Sequence, residues 1–289
     1  MLKTRVITAL VMLAVLYMGT VWTSPFQFAI FISAVLLVGV LEWTGLMGAK
    51  SLAHKAAYIG LFIVLMAVLA PALQIASMTH SLTAPLVTSL TGIGVVFWLT
   101  AFWLIRHFPE NSSQWATTSG TAMMGVFTLI PTWVALIALK YLVPNGALVF
   151  TLIALVSIVD IGAYFTGRAW GKAKLAPKLS PGKSWAGFWG GMASCLVLAL
   201  ALLYPLHFYV VQLDPVHMLA FVVIAMVTAV FSVLGDLFES MLKRSQGLKD
   251  SGKSLPGHGG ILDRIDSLTS AAPVFVFFIS ILFADVSWL

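Results

Sequence analysis

Apolar runs of about twenty residues, each long enough to cross a bilayer, follow one another along almost the whole chain. They lie at about 6–22, 26–47, 57–76, 85–105, 121–139, 147–165, 185–209, 216–238 and 268–288. Hydrocarbon offers no partner for backbone N–H and C=O groups, so only helices or closed barrels can span it. The runs lack the alternation of barrel strands. They predict an all-α polytopic integral membrane protein with about nine transmembrane helices, the first short enough to be tilted or re-entrant. Only 9% of the 289 residues are charged. A soluble domain carries about 25%, so a conventional soluble enzyme is excluded, and disorder with it.

The basic residues orient the spans. With a cytoplasmic N-terminus, Lys3, Arg5, Lys50, Lys55, Arg106, Arg168, Lys172, Lys174, Lys178, Lys183, Lys243, Arg244, Lys249, Lys253 and Arg264 all fall on the cytoplasmic side, and only Lys140 falls outside. That bias supports nine spans, N-in and C-out. The start, Met1-Leu2-Lys3-Thr4-Arg5, resembles a signal peptide, but bulky Val21-Trp22-Thr23 offers no small-x-small cleavage site, which predicts a retained signal anchor. A net charge of +6 is ordinary for basic cytoplasmic loops and implies no nucleic-acid partner. The single cysteine, Cys195, excludes an intrachain disulfide framework.

Composition divides the chain at about residue 145. Residues 1–145 (spans one to five) are apolar helices with little convergent chemistry, and residues 146–289 (spans six to nine) hold two unusual cytoplasmic stretches. Asp236, Glu239, Lys243, Arg244, Lys249, Asp250, Lys253, Asp263, Arg264 and Asp266 crowd into one of them. Asp236, Glu239/Ser240 and Lys243 follow helical spacing and share a face. Asp263 and Asp266, three apart at the start of the last span, share another. Between them Gly247, Gly252, Pro256, Gly257, Gly259 and Gly260 break any helix and let backbone N–H groups approach a ligand. Carboxylates from two helix ends, a glycine-rich link and several cations suit a divalent metal holding phosphates. The plainer alternatives are that Asp263 and Asp266 cap a helix and that the basic residues only orient the chain. Asp236 and Glu239 resist the plain reading, because acids at a span's edge are costly. His258, set among glycines, is expected to contact phosphate or substrate.

The other stretch starts at Asp160 inside the sixth span and continues through residues 167–191. Ser180-Pro181-Gly182-Lys183-Ser184 resembles the end of a P-loop, but Pro177 breaks the pattern and no βαβ unit is available, so a Walker A site is rejected. Lys183 and the N-terminus of the following helix still suit a phosphate. Gly187, Gly190 and Gly191 read as close helix packing. Glu42 beside Trp43 reads as an interfacial anchor or a helix-contact residue. His54, His80, His107, His207 and His217 lack metal-ligand spacing, and the tryptophans fit interfacial belts.

Residues 240–266 resemble the signature of the phosphatidate cytidylyltransferase (CDP-diacylglycerol synthase) family of bacteria, S-x-x-K-R-x4-K-D-x-[GSA]-x2-[LIF]-[PGS]-x-H-G-G-x2-D-R-x-D. Ser240, Lys243, Arg244, Lys249, Asp250, Gly252, Leu255, Pro256, His258, Gly259, Gly260, Asp263, Arg264 and Asp266 meet every fixed position. The Asp160-x-Gly-Ala-Tyr and Ser180–Gly187 segments resemble two further stretches of that family, with Ile161 in place of an expected Ser or Thr. The resemblance implies transfer of CMP from CTP to phosphatidate, with Mg²⁺ as cofactor, K⁺ as a second ion, a homodimer, and a bacterial cytoplasmic (inner) membrane location. It implies Asp236, Asp263 and Asp266 as metal ligands, and catalytic roles for these three with Lys243 and His258. Lys183, Ser180, Ser240, Arg244, Lys249, Asp250, Arg264 and Asp160 are expected to bind substrate. A transporter would instead need inverted repeats and midplane broken helices. The pattern of CDP-alcohol phosphotransferases is absent, and a CTP-dependent lipid kinase would need the same phosphate clamps.

Overall fold

The structure, a computed structural model, describes residues 2–76, 81–286 and 288; His80 and the side chains of Lys3 and Arg5 lie outside the described set. The helices are α1 Leu2–Val21, α2 Pro25–Leu46, α3 Leu52–Ala72, α4 Ala84–Arg106, α5 Ser112–Trp115, α6 Thr118–Leu142, α7 Ala147–Trp170, α8 Trp185–Tyr209, α9 Pro215–Ser245 and α10 Leu262–Leu282. Among the described residues, eight helices (α2–α4 and α6–α10) are long and apolar enough to cross a bilayer. The apolar part of α1, Val6–Val21, is shorter, which agrees with the short first span expected. Polar residues before the spans act as helix caps. Ser24 forms a capping box with Gln27, and Asp214 accepts the His217 N–H at 2.8 Å.

The one expected exception to the charge bias has a structural role. Lys140, in the last turn of α6, is fully buried, and its ammonium donates to the carbonyls of Thr20 at the end of α1 and of Pro144. It therefore binds unsatisfied carbonyls at helix C-termini, where a cation is favoured. At the other end of α1, the Thr8 hydroxyl donates to Pro256 O at 3.0 Å, so this helix touches the glycine-rich link.

Helix α9 has 31 residues. At 1.5 Å per residue it is about 46 Å long, and Asp236 lies about 32 Å from its start. A hydrocarbon core of about 30 Å therefore ends near Asp236, and the turns carrying Glu239, Ser240 and Lys243 extend past it. Gly235 lets α10 lie against this point, since a Cβ there would come within 2.4 Å of Asp266 O and Ser270 Oγ.

Helices α7 and α8 make the other close pair. A Cβ on Gly190 would stand 2.0 Å from Thr166 Oγ1, and one on Gly191 would stand 2.8 Å from Val159 O. Between them lies the departure from an all-helical chain, an antiparallel hairpin of β1 Lys174–Ala176 and β2 Ser180–Ser184. Buried Leu179 anchors it, and Arg244 Nε reaches Leu179 O at 3.5 Å. At its tip Lys178 pairs with Glu110 at 2.6 Å, and that hydrogen bond holds the exposed Glu110 carboxyl below its usual range. Replacing Gly190 by Val should lower the thermal unfolding midpoint in detergent, since overpacking costs about 1–3 kcal/mol. Gly60→Ala, with nothing within 4 Å of the added carbon, should leave the midpoint unchanged or raise it.

Candidate active site

At the end of the bundle where the hairpin lies, a cavity of about 570 Å³ is lined by Asp160 and Tyr164 of α7, Lys183 and Ser184 of β2, Gly187 of α8 and Asp236 of α9. The hairpin turns Lys183 inward, where its ammonium meets Asp236 Oδ2 at 2.6 Å. Ser184 is the N-cap of α8 and accepts the Gly187 N–H at 3.2 Å. A lysine beside the N-terminus of a 25-residue helix is a site for an anion. Arg168 also lines the cavity, with its guanidinium 3.3 Å from Tyr164 Oη.

Behind the cavity the two helix ends predicted to converge do so through one lysine. Lys243 donates to Asp263 at 2.7 Å and to Glu239 at 3.2 Å, with all three side chains largely buried. Asp263 also receives the backbone N–H of Ser251 at 3.0 Å and of Gly260 at 2.8 Å. Its carboxylate thus gathers the glycine-rich link around itself. Asp266, one turn on, accepts the Ser267 N–H at 2.7 Å and lies beside Asp236 and Glu239. Ser240 Oγ is 3.4 Å from Asp236 Oδ1.

Asp160, Lys183, Asp236, Ser240, Lys243, Asp263 and Asp266 are therefore brought together. The remaining predicted residues lie further out. Arg244, Lys249, Asp250 and Arg264 are exposed, and Ser180 begins β2, paired with Ala176. The His258 imidazole is half-buried, with Nδ1 buried and without a hydrogen-bond partner, and the His258 carbonyl accepts from Arg264 Nε at 3.1 Å. Two further carboxylates, Glu239 and Glu42, join the assembly. Glu239 was legible from its helical spacing with Asp236. Glu42 signals itself only as an acid at a span's edge, yet it accepts hydrogen bonds from the Ser254 hydroxyl and from the N–H groups of Ile261 and Leu262.

The donor set can be tested against a divalent cation. Among the described residues no three His, Cys, Asp or Glu side chains stand as a ready-made cage. Asp160, Asp236, Glu239, Asp263 and Asp266 nevertheless share just two lysine partners, Lys183 and Lys243, among the described ion pairs. Glu239 Oε1 is buried, receives no hydrogen bond from an N–H or hydroxyl group, and its carboxyl meets that of Asp266. Carboxyl groups pressed together out of water are costly without a neutralising charge, and all-oxygen donors match Mg²⁺. The residues fit such an ion.

A second recess, of about 380 Å³, lies against the first. It is lined entirely by apolar side chains, among them Leu99 and Phe102 of α4, Trp185 of α8, and Val230 and Leu237 of α9. Leu175, Phe188 and Val233 line both spaces, so a cation-bearing chamber and an apolar one stand on either side of a shared wall.

A bundle of helices apolar enough to span a bilayer, with a cavity and buried lysine–carboxylate pairs gathered at one end, has the make-up of a polytopic membrane enzyme. Residues 3–282 match the model of the Cytidylyltransferase family, and the chain belongs to that family. It is 42% identical over 275 residues to the phosphatidate cytidylyltransferase of Pseudomonas aeruginosa, covering 95% of this chain and 96% of the relative. It is also 37% identical over 288 residues to the phosphatidate cytidylyltransferase of Haemophilus influenzae, covering 96% and 98%. The Brucella suis relative of the same name is 33% identical over 283 residues, covering 96% and 93%.

Lys243→Met would leave Glu239 and Asp263 buried without their shared cation. The turnover rate should fall by about 100-fold or more, and chemical denaturation should show a loss of about 3–5 kcal/mol. Lys178→Ala removes an exposed pair and should leave unfolding unchanged.

Proposed function

We propose that this enzyme transfers the cytidylyl group of CTP to phosphatidate, releasing CDP-diacylglycerol and pyrophosphate. The adjacency of the two recesses across Leu175, Phe188 and Val233 is the observation that carries this reading. One offers cations and a helix N-terminus to a triphosphate, and the adjoining one offers an apolar wall to acyl chains.

The reaction forms a bond between a phosphate oxygen of the lipid and the α-phosphorus of CTP. The bond from that phosphorus to the oxygen bridging the β-phosphate breaks, and its electron pair leaves with pyrophosphate. The attacking oxygen is already anionic, so no protein nucleophile is required, and catalysis reduces to alignment and charge stabilisation. Lys183 and the N-terminus of α8 hold one phosphate, and Lys243 and Arg168 offset charge as pyrophosphate departs. Asp236, Asp263 and Asp266 would hold Mg²⁺, with Glu239 beside them, and a K⁺ ion is proposed as the second cation. Bound Mg²⁺ would supply neutralisation of phosphate charge. Asp263, already engaged by Lys243, also keeps that lysine in place.

The basic bias of the site's face supports a cytoplasmic orientation in a bacterial inner membrane. CTP then enters from water and phosphatidate from the leaflet. A homodimer is proposed as the working assembly.

Purified protein in detergent with phosphatidate, Mg²⁺ and CTP labelled at the α- or the γ-phosphate tests the reaction. The α-label should appear in lipid and the γ-label in pyrophosphate; γ-label in lipid would show a CTP-dependent kinase instead. EDTA should abolish transfer and added Mg²⁺ restore it. Asp263→Asn should lose activity.

A further inference from the structure

We infer that Glu42, supplied by α2 from the opposite half of the chain, is the positioning residue that sets the 250–262 link and, through it, Asp263 and Lys243. Glu42 is 8% exposed, inside a membrane helix that otherwise carries no charge. It does not line the cavity, so it acts on substrate only through other groups. All of its partners donate. The Ser254 hydroxyl and the Ile261 N–H (3.1 Å) meet Oε1, and the Leu262 N–H (2.9 Å) meets Oε2. A set composed of donors suits an ionised carboxylate, which can only accept.

The need for it arises in α10. The residue at its N-cap is Ile261, whose side chain supplies no capping bond, and the first N–H groups of a helix require an acceptor. Glu42 provides one from more than two hundred residues away. Asp263 holds the same link on its other side, through the N–H groups of Ser251 and Gly260. The link is therefore clasped between two carboxylates, and the face of Asp263 that meets Lys243 depends on where Glu42 holds the chain. Gly252 and Gly260 make room for the clasp. A Cβ on Gly252 would stand 2.3 Å from Glu42 Oε1, and one on Gly260 would stand 2.5 Å from Oε2. Glu42 is itself aimed by its neighbour. The Trp43 indole donates to Thr121 O of α6 at 2.9 Å and fixes the rotation of α2.

The test compares Glu42→Gln with Thr44→Val. Thr44 is also buried on α2, but its hydroxyl donates to Leu41 O within its own helix. Glutamine keeps the shape, loses the charge and presents an amide N–H₂ to donors. In Glu42→Gln, kcat for cytidylyl transfer should fall about 10–100-fold, the usual cost of losing an outer-shell orienting group. KM for phosphatidate should stay unchanged, because the apolar recess lies on α4, α8 and α9. Hydrogen exchange at residues 260–262 should accelerate while the other helices keep their protection. Thr44→Val should match wild type in all three. A folded Glu42→Gln enzyme with wild-type kcat, or a lowered kcat with unchanged exchange at 260–262, would overturn the inference. If Glu42→Gln fails to fold, Gly252→Ala decides, because it displaces the Glu42 carboxylate and leaves the donors to Asp263 in place. Lowered kcat with faster exchange there supports the clasp, and wild-type kcat refutes it. The inference rests on cytidylyl transfer for its kinetic arm only. A wild-type enzyme without transfer would remove the proposed function, and the exchange measurement would still judge the clasp.

Discussion

One ammonium group joins the two helix ends on which the site is built. Lys243 reaches Glu239 on its own helix and Asp263 on the next, in surroundings where its side chain is 14% exposed and the carboxylates less. A buried charge without a partner is among the costliest defects a fold can carry. The lysine therefore constrains α9 and α10 to this relative position, and Gly235 removes the side chain that would hold them apart. Asp236 and Asp266 come to lie side by side as a result of that packing. Their proximity is unfavourable in itself and leaves the centre with more negative charge than its lysines balance.

The same logic operates one layer deeper. The glycine-rich link has few side chains with which to fix itself, so its backbone N–H groups are bound by carboxylates fixed on helices, Asp263 on one side and Glu42 on the other. Small residues let the backbone come close to charge, and the charge then orders the small residues. This reciprocal arrangement gives a segment rich in glycine a defined course behind the cavity.

Hydropathy made the spanning helices legible because burial in lipid leaves a chain almost no freedom of composition. The convergence of Asp236, Lys243, Asp263 and Asp266 was legible because helical spacing fixes faces and only a short link separates them. The β1–β2 hairpin was not. Its strands are three and five residues long, Pro177 follows the first and Pro181 lies inside the second, and buried Leu179 in the turn holds them. Glu42 was visible as an unusual acid, but its partners lie too far along the chain for any spacing rule to reach. Lys140 read as an exception to the charge bias because a buried helix-capping lysine and a loop lysine look alike in sequence. His258, expected to face phosphate, is half-buried with Nδ1 unpartnered, between Gly257 and Gly259, whose positive φ angles bend the backbone on either side.

The shared wall of Leu175, Phe188 and Val233 also bears on how a catalytic cycle ends. On the proposed reaction, pyrophosphate and the nucleotide-bearing lipid form in a chamber that shares this wall with an apolar recess. The first is soluble only in water and the second partitions to the bilayer, so the products separate by phase rather than compete for one exit. Lateral diffusion in the leaflet, as well as bond-making at phosphorus, is then part of turnover in the proposed reaction.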